Sequence, residues 1–230
     1  MPTDNRTALL NLIAARSFKL GDFTLASGQR SDYYIDCRIT TLHAEGGRLS
    51  GIVLYDLIHE KISDPETIEA VGGLTMGADP LVSNIASASA WALADYTEIL
   101  ELADTLDIDD EEDGDEGPPP ALIHGFLVRK TEKTHGTGRR VEGFLRPDAR
   151  VIIVDDVCTT GGSTITAIEA TREAGMIVAG VLCLVDREQG GRANIERALA
   201  EIPSDEDIPF RSVFTAASVR AAHIHLQGKK

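Results

Sequence analysis

Apolar positions along the chain follow two rhythms. Over residues 5–17, Leu9, Leu12 and Ile13 recur at the spacing of one helical face, and Gly21 closes that region. Residues 45–62 repeat the helical rhythm with Leu49, Ile52, Val53 and Leu57. Between such stretches lie short apolar runs that read as strands, at residues 33–36, 70–73, 123–129, 150–155, 176–185 and 210–214. Val151-Ile152-Ile153-Val154 is the purest of them, and suits a central parallel strand covered on both faces. Asp79-Pro80 reads as a cap followed by proline in a first helical turn, opening a helix to about residue 90. Further helices are expected over 163–174, 193–200 and 218–226. Strands alternating with helices predict an α/β fold with a mostly parallel central sheet flanked by helices.

Residues 91–120 break the alternation. The first half can continue as helix. The second half, from Asp109 to Pro120, has too little apolar surface to offset the entropy of ordering it. The expectation is one domain over residues 1–230 carrying a mobile, solvated acidic insertion at about 95–120.

This segment also explains the formal net charge of −15. Asp95 to Glu116 holds twelve acids and no Lys or Arg, leaving 25 acids elsewhere against 22 bases. A broad basic face for nucleic acid is therefore not expected. No apolar run approaches the roughly 20 residues of a membrane span. Cys37, Cys158 and Cys183 are odd in number and widely spaced, with no disulfide framework or zinc pattern. The expected setting is the cytoplasm.

The chemistry concentrates in Asp155-Asp156-Val157-Cys158-Thr159-Thr160-Gly161-Gly162-Ser163. An apolar strand delivers two acids, then small hydroxylated residues and glycines that enter a helix. Glycines admit an anion close to backbone N–H groups, and a helix start leaves donors unpaired at its positive dipole end. Asp155 and Asp156 are placed for sugar hydroxyls or a hydrated Mg²⁺ rather than for the anion. A phosphate cup beside such acids describes a ribose 5-phosphate. A Walker loop needs a lysine after its glycines, and a dinucleotide loop needs G-x-G-x-x-G; neither is here.

This nine-residue segment resembles the phosphoribosyl pyrophosphate signature of type I phosphoribosyltransferases. Two further segments resemble orotate phosphoribosyltransferase: Phe23-Thr24-Leu25-Ala26-Ser27-Gly28-Gln29-Arg30-Ser31-Asp32-Tyr33-Tyr34-Ile35-Asp36, and Val128-Arg129-Lys130-Thr131-Glu132-Lys133-Thr134-His135-Gly136 with Glu142-Gly143. Gly72 to Ala78 and Asp186-Arg187 extend the resemblance over nearly the whole chain outside the acidic insertion. It implies the type I fold with a small N-terminal hood, and transfer of phosphoribose from phosphoribosyl pyrophosphate to orotate.

By this resemblance, Lys133 and His135 neutralise or protonate the leaving pyrophosphate, with Asp155 and Asp156 on the ribose hydroxyls. Val157 to Ser163 belong to the phosphate site. Tyr33 and Tyr34 lie along the orotate ring and Arg187 meets its carboxylate. Mg²⁺ is implied, held mainly by substrate pyrophosphate and water. A homodimer is implied too, with the basic loop reaching the neighbouring subunit. Arg129, Lys130, Lys133, His135, Arg139 and Arg140 form a local basic patch. Unit charges at ~4 Å are worth roughly 4 kcal/mol at an effective dielectric of 20, whereas distant acids are screened beyond ~8 Å. The patch therefore outweighs the insertion. Ala26 and Met76 stand where many relatives carry basic residues.

The residues by themselves leave other readings open. An enzyme of this fold using another base, or a regulator that binds phosphoribosyl pyrophosphate without turnover, shares most of these features. The tyrosines also suit plain strand packing, Arg187 a surface ion pair, and Cys158 a small packing role.

Overall fold

The computed structural model describes residues 4–24, 30–105, 119–130, 140–201 and 208–228. The chain opens with α1 (Asn5–Arg16) and a hairpin of β1 (Phe18–Thr24) and β2 (Arg30–Ile35). A single helical turn, α2 (Arg38–Thr41), leads to α3 (Ala44–Lys61), β3 (Ile68–Leu74) and α4 (Asp79–Thr105). Next come β4 (His124–Val128), β5 (Val141–Gly143), β6 (Arg150–Cys158) and α5 (Gly162–Glu173). The chain closes through β7 (Ile177–Asp186), α6 (Gly191–Ala200), β8 (Phe210–Thr215) and α7 (Ala216–Gln227).

Among the described residues the main sheet has six strands in the order β5-β4-β3-β6-β7-β8. Only the β4–β5 pair is antiparallel. The aliphatic run of β6 lies at its centre and feeds both faces in alternation, as period-two geometry requires. Ile152 and Val154 pack with α3 and α4 residues such as Leu54, Ile58, Leu81 and Ile85. Val151 and Ile153 pack on the other face with Ala167 and Ile168 of α5 and Ile195 of α6. All four are buried, each contributing on the order of 2 kcal/mol from removal of apolar surface.

The β1–β2 hairpin forms a separate antiparallel sheet above this framework. The hairpin and the α1 helix before it are fastened from several sides. Arg220 of α7 pairs with Asp32 of β2 at 2.7 Å. His223 of α7 packs on Phe18 and meets the carbonyl of Ala14 at 2.7 Å. Arg6 of α1 donates to the carbonyl of Val213 in β8 at 2.7 Å.

Several boundaries differ from the sequence reading. Gly21 does not close the first helix; it lies within β1, and the helix ends with the Ser17 N–H donating to Ile13 O at 2.8 Å. β1 escaped notice because most of its residues face outward and leave no apolar alternation. The helix expected to about residue 90 continues to Thr105, since Trp91 to Thr105 contains no glycine or proline and is rich in helix formers. Residues 106–118, the remainder of the acidic insertion up to its prolines, lie outside the described residues. Among the described residues no helix is long and apolar enough to cross a membrane.

Candidate active site

Three strand ends meet at the carboxyl edge of the sheet, where open α/β sheets present their sites. They are the turn after β3, the end of β6 with its turn into α5, and the end of β7. The Arg187 N–H donates to Cys158 O at 2.9 Å, tying the last two together. A Cβ added at Gly77 would lie 2.5 Å from Asp156 Oδ1, which places the turn after β3 directly against the second acid. The peptide between Thr75 and Met76 in that turn is cis, and Met76 is exposed.

The loop inferred from Asp155 onward is shorter in the structure. β6 runs to Cys158, so Asp155 to Cys158 are strand and pair with β7. The reason is the continued ladder: Asp155 is opposite Cys183, Val157 opposite Val185 and Cys158 opposite Asp186. The N–H of Val157 donates to Asp156 Oδ1 at 2.9 Å, and that of Cys158 donates to Cys183 Sγ at 3.2 Å. Cys158 itself is buried packing. The cup proper is Thr159 to Ser163. Gly161 caps α5 at φ +82°, a conformation that favours glycine, and among the described residues no side chain caps the helix. The first amides of α5 thus have no side-chain cap among the described residues.

Consecutive strand residues project to opposite faces, and the two acids diverge accordingly. Asp155 turns toward α5, where Thr164 Oγ1 donates to its Oδ2 at 2.6 Å. Burial, reinforced by the charge of Asp156, pushes its carboxyl up to about 7. Asp156 turns toward Gly77 and Arg38. Burial raises its carboxyl too, and the Arg38 cation opposes that rise. Arg38 is a site residue that the sequence reading missed. It grips Asp36 with two bonds of 2.9 Å, and the field of Asp156 acts on it as well. Its one signal was position, two residues after the Tyr33-Tyr34-Ile35-Asp36 segment.

Tyr33 and Tyr34 lie on opposite faces of β2. Tyr33 turns inward, stacked on Phe18 with ring centroids 5.4 Å apart. Tyr34 turns outward beside Phe23 at 5.6 Å. Arg187 is buried, with its guanidinium 4.8 Å from the Tyr33 ring centroid and Nη2 donating to Ser31 Oγ at 3.3 Å. Its Nε is buried without a partner among the described residues. An unpaired buried donor on a cation calls for an explanation, and an anionic ligand would supply one.

Of the basic patch, Arg129 reaches Glu142 at 3.2 Å and Arg140 reaches Glu173 at 3.0 Å. The Arg129 N–H donates to Arg140 O at 2.8 Å, closing the base of the segment between β4 and β5. Lys130 is exposed. Lys133, His135 and Arg139 lie outside the described residues, as does Ala26. Among the described residues no three His, Cys, Asp or Glu side chains converge to cage a metal. Two carboxylates at a strand end do suit Mg²⁺, which commonly takes one or two protein oxygens and keeps water and substrate phosphates.

A mostly parallel sheet, with an acid pair leading into a glycine-capped turn at its carboxyl edge and an N-terminal hairpin beside it, is the framework of the phosphoribosyltransferase class. The family model for the phosphoribosyl transferase domain matches residues 123–207. The orotate phosphoribosyltransferase of Aquifex aeolicus is 39% identical over 212 residues, 91% of this chain and 94% of that protein. The crystal structure of Mycobacterium tuberculosis orotate phosphoribosyltransferase with Fe(III) dicitrate superposes with a TM-score of 0.67 at 30% identity, covering 94% of this chain and 99% of that one. The same enzyme in complex with phosphoribosyl pyrophosphate gives a TM-score of 0.61 at 27% identity, covering 95% of this chain and 93% of that one. The chain belongs to the orotate phosphoribosyltransferase family. It is a transferase of pyrimidine biosynthesis, which moves the 5-phosphoribosyl group from phosphoribosyl pyrophosphate to orotate and yields orotidine 5'-monophosphate and pyrophosphate.

Proposed function

We propose that the chain carries out this transfer with the residues gathered at the carboxyl edge of the sheet. The observation that carries the reading is the uncapped start of α5 directly after the buried acid pair. Thr159 to Ser163 hold the 5-phosphate through backbone amides and hydroxyls. Asp155 and Asp156 hold the ribose from two sides, and their charge favours the cationic character that develops at the anomeric carbon. The C–O bond to pyrophosphate breaks with its electron pair leaving on pyrophosphate, while a ring nitrogen of orotate forms the new C–N bond and its proton passes to the departing pyrophosphate or to water. Lys130, Lys133 and His135 neutralise the departing pyrophosphate. Mg²⁺, when bound with the substrate, supplies further charge neutralisation there. Arg187 meets the orotate carboxylate, with Tyr33 holding the guanidinium in place and Tyr34 at the rim.

Two chains form the working unit, with the basic segment of one reaching the site of the other. A closing segment excludes water from the activated sugar.

The test is to supply Mg²⁺, phosphoribosyl pyrophosphate and one base at a time, comparing orotate, uracil, hypoxanthine and adenine, with Lys133→Ala in parallel. Turnover with orotate alone, largely lost in the variant, is the expected result. Turnover with another base would remove Arg187 from its role. Binding of phosphoribosyl pyrophosphate without turnover on any base would make the protein a sensor.

A further inference from the structure

The phosphate turn has a back as well as a front, and the back rests on the first turn of α6. Asn194 Nδ2 donates to Thr160 O at 3.0 Å. The other end of the same amide accepts from Arg197 Nη1 at 3.4 Å, which fixes which atom faces the turn. Gly191, one turn earlier, leaves the space the contact needs. A Cβ there would lie 2.4 Å from Cys158 Sγ, 2.7 Å from Thr159 O and 3.1 Å from Gly161 N. From the other side, a Cβ on Gly161 would lie 2.9 Å from both Gly191 O and Ile195 Cγ1. The turn and the helix therefore touch backbone to backbone.

Two successive carbonyls, those of Thr159 and Thr160, face α6. A trans peptide is planar, and its N–H points opposite to its C=O. Holding these two oxygens against α6 turns the N–H groups of Thr160 and Gly161 away from it, toward the front of the turn. We infer that Asn194 is a positioning residue for recognition of the sugar phosphate: by holding the Thr160 carbonyl it aims the Gly161 amide at the 5-phosphate. This rests on the reading of Thr159 to Ser163 as the phosphate site. Asn194 sits on the far side of the turn from substrate, so its effect belongs to phosphoribosyl pyrophosphate alone.

The experiment compares native protein with Asn194→Ala and Asn194→Asp. The readouts are KM for each substrate, kcat, and the affinity for ribose 5-phosphate by calorimetry. Asn194→Ala is expected to raise KM for phosphoribosyl pyrophosphate and weaken ribose 5-phosphate about five-fold, the scale of one net hydrogen bond. KM for orotate and kcat stay as in the native protein. Asn194→Asp keeps the size but sets a carboxylate against a carbonyl oxygen, and weakens ribose 5-phosphate further. Native-like affinity in both variants, or equal rises in both KM values together with a lowered Tm, would overturn the inference. Ser163→Asp, which places a carboxylate in the cup, separates the two readings. If it abolishes ribose 5-phosphate binding while Asn194→Ala is native-like, only the role of Asn194 fails. If it leaves that binding unchanged, the phosphate site itself has been misplaced and the inference falls with it.

Discussion

The turns after β3 and β6 solve the same problem in different ways. Both carry the chain from a buried parallel strand into a helix, and both end at the same edge of the sheet. The turn after β6 is pressed against α6 from behind, so its glycines serve backbone contact: Gly161 meets Gly191 O, and Gly191 meets Thr159 O. The turn after β3 is tied to β4 by the Thr75 N–H donating to Val128 O at 2.9 Å, but its glycine, Gly77, meets a side chain, the carboxylate of Asp156. Backbone cannot retreat without carrying the neighbouring strand, whereas a carboxylate can rotate. The first turn is accordingly fixed in place, as the proposed phosphate site requires. The second is an adjustable neighbour of the acid pair, with exposed Met76 at its tip.

Paired glycine substitutions give this contrast its strongest test. Gly191→Ala brings a methyl to 2.4 Å from Cys158 Sγ and 2.7 Å from Thr159 O, so the phosphate turn must move. Misplacement of about 1 Å costs on the order of 10²-fold, and kcat/KM for phosphoribosyl pyrophosphate is expected to fall by that much. Asp155→Asn follows, with a fall of roughly 30-fold in the same parameter from loss of a charge-assisted contact to ribose. Gly77→Ala meets the Asp156 carboxylate, which can yield only by giving up its bond from the Val157 N–H, and steady-state kinetics should register a loss of about 10-fold. An equal loss in both glycine variants would erase the distinction between the turns. Met76→Lys adds an exposed cation at the second turn and should lower KM for phosphoribosyl pyrophosphate about three-fold, an effect that fades in high salt.

The smallest expected effect is on stability. The carboxyl of Asp155 is raised to about 7 in the folded chain from its ordinary 3.8. The native state therefore binds the proton more tightly than the unfolded chain. Its contribution to stability is complete below about pH 4 and is lost as pH rises toward 7. Asp155→Asn removes this loss. Thermal melts should place the variant above the native protein at pH 8, with no such advantage at pH 4. A variant less stable at pH 8 would mean that the carboxylate is better accommodated than its burial implies.

Much of the site was legible because its groups are neighbours in the chain. The acids, threonines and glycines from Asp155 to Ser163 lie within one strand-to-helix passage, and their order alone points to a phosphate and a polyol. Where the strand ended was less legible. Two acids suggest exposure, yet the ladder to β7 continues past them and makes Val157 and Cys158 part of the sheet. Tyr33 and Tyr34 were found as a pair, but period-two geometry sends them to opposite faces, and only Tyr33 meets Arg187. Arg38 was passed over because an arginine one turn from a strand has no local mark of function.

By itself the sequence determined the alternation of strands and helices, the doubly buried centre of the sheet, and the order of acids, threonines and glycines on which the proposed phosphate site rests. Each of these is written within a few residues, where spacing and side-chain type decide the outcome. The tertiary structure alone decided which distant groups complete the site. Asn194 lies 34 residues beyond the carbonyl it holds. Ser31 and Arg187 meet across 156 residues, and Arg38 stands in the field of Asp156. Such meetings depend on strand order and on how the helices and hood pack over it, which no local pattern encodes.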